Sequence, residues 1–193
     1  MAASDAAGAS KAALRRQFRQ RRLELLAAAE PALQSHARLQ LPPLLGDGLL
    51  GLYWPLPGEA DLQGLAQLPE LAQRLALPRV SDGALQYCHW PPGAALEADA
   101  TGIPAPPSSE PSLEPEAMAL LLAPALAFDQ RGIRLGYGGG WFDRLRSQPR
   151  WRQVKALAVL PAGCLLPQLP RDTWDVPFDG WLDEQGLHWL QAV

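Results

Sequence analysis

Cysteine is scarce. Only Cys88 and Cys164 occur, far apart and in unrelated contexts, so neither a disulfide framework nor a cysteine zinc site is indicated. His36, His89 and His188 fall in separate segments, and no serine or cysteine sits in a nucleophile elbow, which leaves covalent catalysis without an evident nucleophile. No run of about 18 apolar residues is present to span a bilayer. The alanine-rich leader after Met1 lacks the long apolar core of a signal peptide. No membrane partner is therefore expected, and a cytoplasmic location is the default. Excess positive charge is also missing: a net charge of −3 and a pI near 5.6 argue against nucleic acid as a main partner. Two common phosphate signatures are absent too. The chain has no Gly-Lys-Ser/Thr triplet of a Walker A loop, and a G-x-G-x-x-G beginning at Gly136 would need glycine where Trp141 stands.

What the chain does contain is a dense stretch of glycine, arginine and carboxylate: Phe128-Asp129-Gln130-Arg131-Gly132-Ile133-Arg134-Leu135-Gly136-Tyr137-Gly138-Gly139-Gly140-Trp141-Phe142-Asp143-Arg144. Glycines allow positive φ and close backbone approach, so successive N–H groups can face one anion, helped by the positive end of a following helix. Arg134 adds a fixed positive charge, and Asp143 a hard oxygen ligand for a magnesium ion bridging phosphates. A plain glycine turn out of a strand would need neither group, so the stretch reads as a phosphate site.

These residues resemble the hallmark of the 5-formyltetrahydrofolate cyclo-ligases, also called 5,10-methenyltetrahydrofolate synthetases. The family pattern is Pro-Gly-hydrophobic-Ala-Phe-Asp, a short gap, then Gly-x-Arg-Leu-Gly-Tyr-Gly-Gly-Gly-Tyr-Tyr-Asp-Arg. Here it reads Pro124-Ala125-Leu126-Ala127-Phe128-Asp129, followed by Gly132-Ile133-Arg134-Leu135 and the glycine run. Ala125 replaces a glycine, and Trp141 and Phe142 replace two tyrosines, removing two phenol hydroxyls. The resemblance implies ATP binding by Arg134, Leu135, Gly136, Tyr137, Gly138, Gly139, Gly140, Trp141 and Phe142, with residues 137–141 also reaching the second substrate.

Along the chain, a helix is expected over residues 10–29 with Ser10 as N-cap, and Pro31 should open a second. Leu14, Phe18 and Leu25 share one side of the first helix, while Lys11, Arg15, Arg19 and Arg22 recur on another, which by itself suits a solvated face. The resemblance assigns Lys11 and Arg15, a Lys-x-x-x-Arg pair one turn apart, to the ATP site, where they could hold a polyphosphate between them. Residues 48–54 read as a buried strand, and Asp61 as the cap of a helix whose Leu62, Leu65, Leu68, Leu71 and Leu75 face inward. Between them, the resemblance makes Trp54 and Glu59 folate-binding residues. An indole can stack on a pterin, and a carboxylate can accept hydrogen bonds from its amino-pyrimidine edge.

Residues 75–80 and 84–90 read as strands around Ser81-Asp82-Gly83, and seven prolines make residues 91–115 a loop; the resemblance brings Trp90 and Ile103-Pro104 near the folate pocket, with packing the favoured role for both over substrate contact. Residues 118–123 and 156–160 read as buried strands. The segment Leu169-Pro170-Arg171-Asp172-Thr173-Trp174-Asp175 matches a further family motif, implying Asp175 as a second magnesium carboxylate beside Asp143. Trp174 stands for a frequent histidine there, and Asp183-Glu184 for a frequent Thr-Glu.

The expected architecture is a single α/β domain over residues 1–193, with residues 1–9 flexible: a mainly parallel sheet with helices on both faces, NagB/RpiA/CoA-transferase-like. The implied reaction is ATP- and Mg²⁺-dependent cyclisation of 5-formyltetrahydrofolate to 5,10-methenyltetrahydrofolate, with Arg134 and Lys11 stabilising the transferring phosphoryl group. Small-molecule substrates and a monomeric state are expected. The rival readings are a dinucleotide-dependent oxidoreductase, which would need the absent glycine fingerprint, and a non-enzymatic folate- or nucleotide-binding module derived from the same fold.

Overall fold

The computed structural model describes residues 10–191, so the expectation for residues 1–9 lies outside it. Ser10 caps the first helix as expected: its hydroxyl accepts from the Ala13 amide at 3.3 Å. The helix, α1, then runs Lys11–Gln40 without stopping at Pro31. The expected break fails for an energetic reason. An interior proline costs a helix about 3 kcal/mol, whereas Leu26, Leu33 and Ala37 continue one buried stripe on either side of it, and each leucine buried stabilises by roughly 1.5–3 kcal/mol.

The strands are β1 (Leu49–Gly51), β2 (Leu75–Ser81), β3 (Ala84–His89), β4 (Glu97–Ala98), β5 (Pro104–Ala105), β6 (Met118–Pro124), β7 (Ala127–Asp129), β8 (Arg134–Leu135), β9 (Lys155–Val159), β10 (Leu165–Leu166), β11 (Gly180–Asp183) and β12 (Gly186–Trp189). Helices α2 (Trp141–Ser147) and α3 (Pro149–Gln153) lie between β8 and β9. Seven strands form one sheet in the order β12-β11-β9-β6-β1-β2-β3. The inner five are parallel, while β12 and β3 pair antiparallel at the edges.

Period-two alternation divides this sheet between two cores. Leu120 and Leu122 of β6 and Leu157 and Val159 of β9 face a layer holding Leu26, Leu33 and Ala37 of α1. Leu121 and Ala123, with Ala156 and Ala158, face a layer holding Leu145 of α2, Trp151 of α3 and Phe128 of β7. The expected α/β class, mainly parallel with helices on both faces, is thus the observed one. The second face also carries a small sheet ordered β10-β7-β8.

Two local expectations need correction. The helix after Asp61 is only a 3₁₀ segment, Gln63–Gln67. Asp61 does not cap it, since Leu62 holds the N-cap position; the Asp61 carboxylate instead makes a turn before the segment by accepting from the Gln63 amide at 2.8 Å. Its leucines are buried without α-helical periodicity, because Leu71 packs from a following turn and Leu75 already belongs to β2. The proline-rich loop is also less irregular than expected, since it carries the β4–β5 hairpin.

Chain direction places the crevice. From β1 the chain moves outward to β2 and β3, whereas from β6 it moves the opposite way to β9, β11 and β12. The adjacent strands β1 and β6 therefore form a topological switch point, where connections leave their carboxyl ends in opposite directions and open a cleft.

Candidate active site

The segments that leave β1 and β6 line one cavity of about 380 Å³, which the start of α1 and the loop before β11 complete. Every site residue expected from the sequence lines it: Lys11, Arg15, Trp54, Glu59, residues 134–143 and Asp175.

The glycine-rich wall is built from tight contacts. Gly140, at φ +65°, is the N-cap of α2, Gly138 adopts φ +107°, and a Cβ on Gly139 would lie 2.7 Å from the Trp141 indole nitrogen. Arg15 donates Nε–H to the Gly136 carbonyl at 2.9 Å, tying α1 to the loop. Arg134 lies beneath the loop, its Nη1 donating to the Pro124 carbonyl at 3.0 Å and its guanidinium centred 5.0 and 5.3 Å from the Phe142 and Phe178 rings. Burial lowers its pKa, opposed by Asp143, whose carboxylate is 4.0 Å away. Phe142 needs no hydroxyl in this stack. Trp141 is covered by Arg144, 4.4 Å above its ring and donating to the Gly139 carbonyl at 2.8 Å.

At the mouth, Lys11 Nζ donates to Asp175 Oδ2 at 2.5 Å and to Asp172 Oδ2 at 2.7 Å. Burial alone would lower the pKa of this ammonium, but the two carboxylates outweigh it and raise the pKa above the ordinary lysine value. Asp175 Oδ2 also accepts from the Asp172 amide at 2.7 Å. Trp174 stands beside them, 68% exposed.

The opposite wall holds Trp54 and Glu59. Glu59 is buried, with Oε2 accepting from the Leu56 amide at 2.9 Å and Oε1 lacking a hydrogen-bond partner. Burial raises the Glu59 pKa, opposed by the Leu56 amide and Arg22.

Sequence reasoning missed several contributors. Arg22, grouped with a solvated stripe, is only 3% exposed and points inward at Tyr137 and Glu59. Its place on the buried Leu14-Phe18-Leu26 stripe, four residues from Phe18 and from Leu26, was the available signal. Asp99 and Thr101 enter the lining from the hairpin loop, beside Ile103, which the resemblance had brought near the pocket. Asp172 partners Lys11. Asp183 has a structural task instead: almost fully buried, it accepts from Trp181 Nε1 at 2.9 Å and the Gln185 amide at 2.8 Å. Cys88 and Cys164 are buried and free, and burial pushes the Cys164 thiol up to about 11. No helix among the described residues is long and apolar enough to cross a membrane.

A crevice at the switch point of a largely parallel sheet, with fixed cations and a glycine-rich turn on one wall and an indole and a buried carboxylate on the other, defines an α/β enzyme for small anionic substrates. Comparison with known proteins specifies it further. The chain belongs to the 5-formyltetrahydrofolate cyclo-ligase family, which it matches over residues 7–183. It is similar to the 5-formyltetrahydrofolate cyclo-ligase of Escherichia coli (strain K12), 30% identical over 170 residues that cover 83% of this chain and 92% of that one. The cyclo-ligase of Mycolicibacterium smegmatis is 35% identical over 130 residues, covering 62% and 63%. Among solved structures, the 5,10-methenyltetrahydrofolate synthetase of Aquifex aeolicus superposes with a TM-score of 0.75 at 29% identity, over 95% of this chain and 94% of that one. The synthetase of Mycoplasma pneumoniae shares the fold with a TM-score of 0.69 at 19% identity, over 91% and 99%.

Proposed function

We propose that this enzyme converts 5-formyltetrahydrofolate and ATP to 5,10-methenyltetrahydrofolate, ADP and phosphate. The observation carrying this reading is the single cavity in which a cationic, glycine-rich wall faces Trp54 and Glu59. A formyl amide oxygen is a very poor leaving group. Transfer of the γ-phosphoryl group to that oxygen breaks its bond to ADP and gives an iminium phosphate. N10 then attacks the activated carbon and loses its proton, and phosphate departs as the ring closes. In this reading Arg134 and the loop amides, which line the cavity, stabilise charge on the moving phosphoryl group, and Lys11 and Arg15 hold the polyphosphate. No partner role is assigned to nucleic acid or membrane.

Among the described residues, no group of three or more His, Cys, Asp and Glu side chains could hold a metal. That suits an ion carried by the nucleotide, because Mg²⁺ is commonly held by one or two carboxylates plus substrate phosphates. Asp143 and Asp175 would hold it, and it would supply neutralisation and alignment of the phosphates. Lys11, which now occupies Asp175, would exchange that carboxylate for phosphate oxygens.

The test is ADP release that requires both 5-formyltetrahydrofolate and magnesium, with appearance of the methenyl product. ATP turnover indifferent to the folate would overturn the assignment, and folate binding without turnover would favour a binding module. Lys11→Ala should raise the KM for ATP about tenfold by removing a charged hydrogen bond, with folate affinity nearly unchanged. Kinetics equal to the parent's at limiting ATP would reduce Lys11 to an ion-pair partner of Asp172 and Asp175.

On the folate wall, Glu59→Gln replaces an acceptor by a donor and should cost roughly 1–3 kcal/mol in folate binding. Trp54→Leu removes part of a stacking surface, about 0.5–1.5 kcal/mol beyond area burial. Isothermal titration with 5-formyltetrahydrofolate reads both, and undiminished affinity in Glu59→Gln would remove Glu59 from the site.

A further inference from the structure

Arg22 is a buried charge to which the reaction assigns no task. From the middle of the buried stripe of α1, its Nη2 donates to the Tyr137 hydroxyl and its Nη1 to the Ala125 carbonyl at 3.3 Å. The guanidinium centre lies 5.2 Å from the centre of the Tyr137 ring. Nη1 is also 3.9 Å from Glu59 Oε1, with side-chain exposures of 3% and 2% for the two residues. That distance is close enough for strong attraction at low dielectric and too long for a hydrogen bond. Glu59 Oε1 and Arg22 Nε are both buried without hydrogen-bond partners. A pair serving stability alone would close into direct hydrogen bonds, since burying an unpaired acceptor is costly. Here Oε2 is used by the Leu56 amide, and Oε1, buried in a side chain that lines the cavity, has a fixed cation nearby to compensate its charge and the Tyr137 hydroxyl beside it, but no direct hydrogen bond of its own.

We infer that Arg22 is a positioning residue for folate recognition: it compensates the Glu59 carboxylate without taking up Oε1 in a hydrogen bond, leaving that acceptor for a ligand donor, and it anchors Tyr137 of the glycine-rich loop to the same cation. The inference rests on the assignment of Glu59 to the folate wall. Arg22 itself touches no substrate, and because the Tyr137 hydroxyl it holds lies beside Glu59, its loss should fall on folate rather than on the nucleotide.

The experiment is isothermal titration of 5-formyltetrahydrofolate, and separately of a non-hydrolysable ATP analogue, into the parent, Arg22→Lys, Arg22→Met, Glu59→Gln and the Arg22→Met/Glu59→Gln double variant. Arg22→Met should weaken folate binding about 10–100-fold, as expected for a buried charge left uncompensated, while ATP-analogue affinity stays within about threefold. Arg22→Lys should recover part of the loss. The double variant should bind folate within about twofold of Glu59→Gln alone, because the two residues act through one interaction.

Equal losses for both ligands, additive losses in the double variant, or unchanged folate affinity in Arg22→Met would each overturn the inference. If Arg22→Met does not fold, Arg22→Lys and the double variant, which buries neither charge, decide by the same criteria. A parent that fails to bind 5-formyltetrahydrofolate overturns the Glu59 assignment and this inference with it. A parent that binds it, with Arg22→Met equal to the parent, overturns only the role of Arg22.

Discussion

Arg134→Met is expected to lower kcat/KM about 10²–10³-fold, the usual consequence of deleting a preorganised stabiliser of transition-state charge, with hardly any loss of fold stability. The opposing terms can be named. Methionine forfeits the hydrogen bond to the Pro124 carbonyl and the cation contacts with Phe142 and Phe178. It also removes a buried charge whose Nε has no partner, and a thioether fits well between two aromatic rings. Asp143 loses its neighbour but keeps access to water, its side chain being 21% exposed. The melting temperature should therefore shift by only a few degrees. Steady-state kinetics at saturating ATP, alongside thermal melting, check this. A variant that loses activity and melting temperature together would show that Arg134 serves the fold.

Asp143→Asn is the second large effect, an expected loss of about a hundredfold in turnover, as for a ligand that orients a catalytic ion. The side chain lies in the first turn of α2, partly exposed, and the amide is nearly isosteric, so no cavity opens. The magnesium concentration for half-maximal activity should rise about tenfold in step with the weaker ligand. Magnesium dependence matching the parent's would remove Asp143 from the ion, leaving it only the ion pair with Arg134.

Which features were legible in the sequence follows from how local their causes are. The apolar runs of β6 and β9, the turn at Ser81-Asp82-Gly83 and the Ser10 cap each depend on neighbouring residues, and all appear where expected. The glycine loop with Arg134 and Asp143 was legible as one wall of the cavity because its parts are contiguous in a single turn. Pro31 misled because a local rule met long-range packing of Leu33 and Ala37, which a chain read in order does not display. Leu62 to Leu75 suggested a helix because buried leucines of a turn and a strand imitate its spacing. Arg22 resembled its exposed neighbours Arg19 and Arg21, and only the docking of α1 distinguishes it. Asp99 and Thr101 reach the cavity through a hairpin whose two-residue strands are too short for any periodicity.

The first helix carries one further implication. Its Leu14 and Phe18 belong to the core on one face of the sheet, and its Leu26, Leu33 and Ala37 to the core on the other. Neither layer can be exposed to water while the other keeps its full complement of contacts, because both draw on the same continuous hydrogen-bonded rod. The expected outcome is that the two layers melt together, with one transition followed by far-UV and near-UV circular dichroism alike. Lys11, Arg15 and Arg22 ride on that rod and tie it to the loop before β11 and to the glycine-rich turn, so the geometry of the crevice depends on the docking of α1 as well as on the loops themselves.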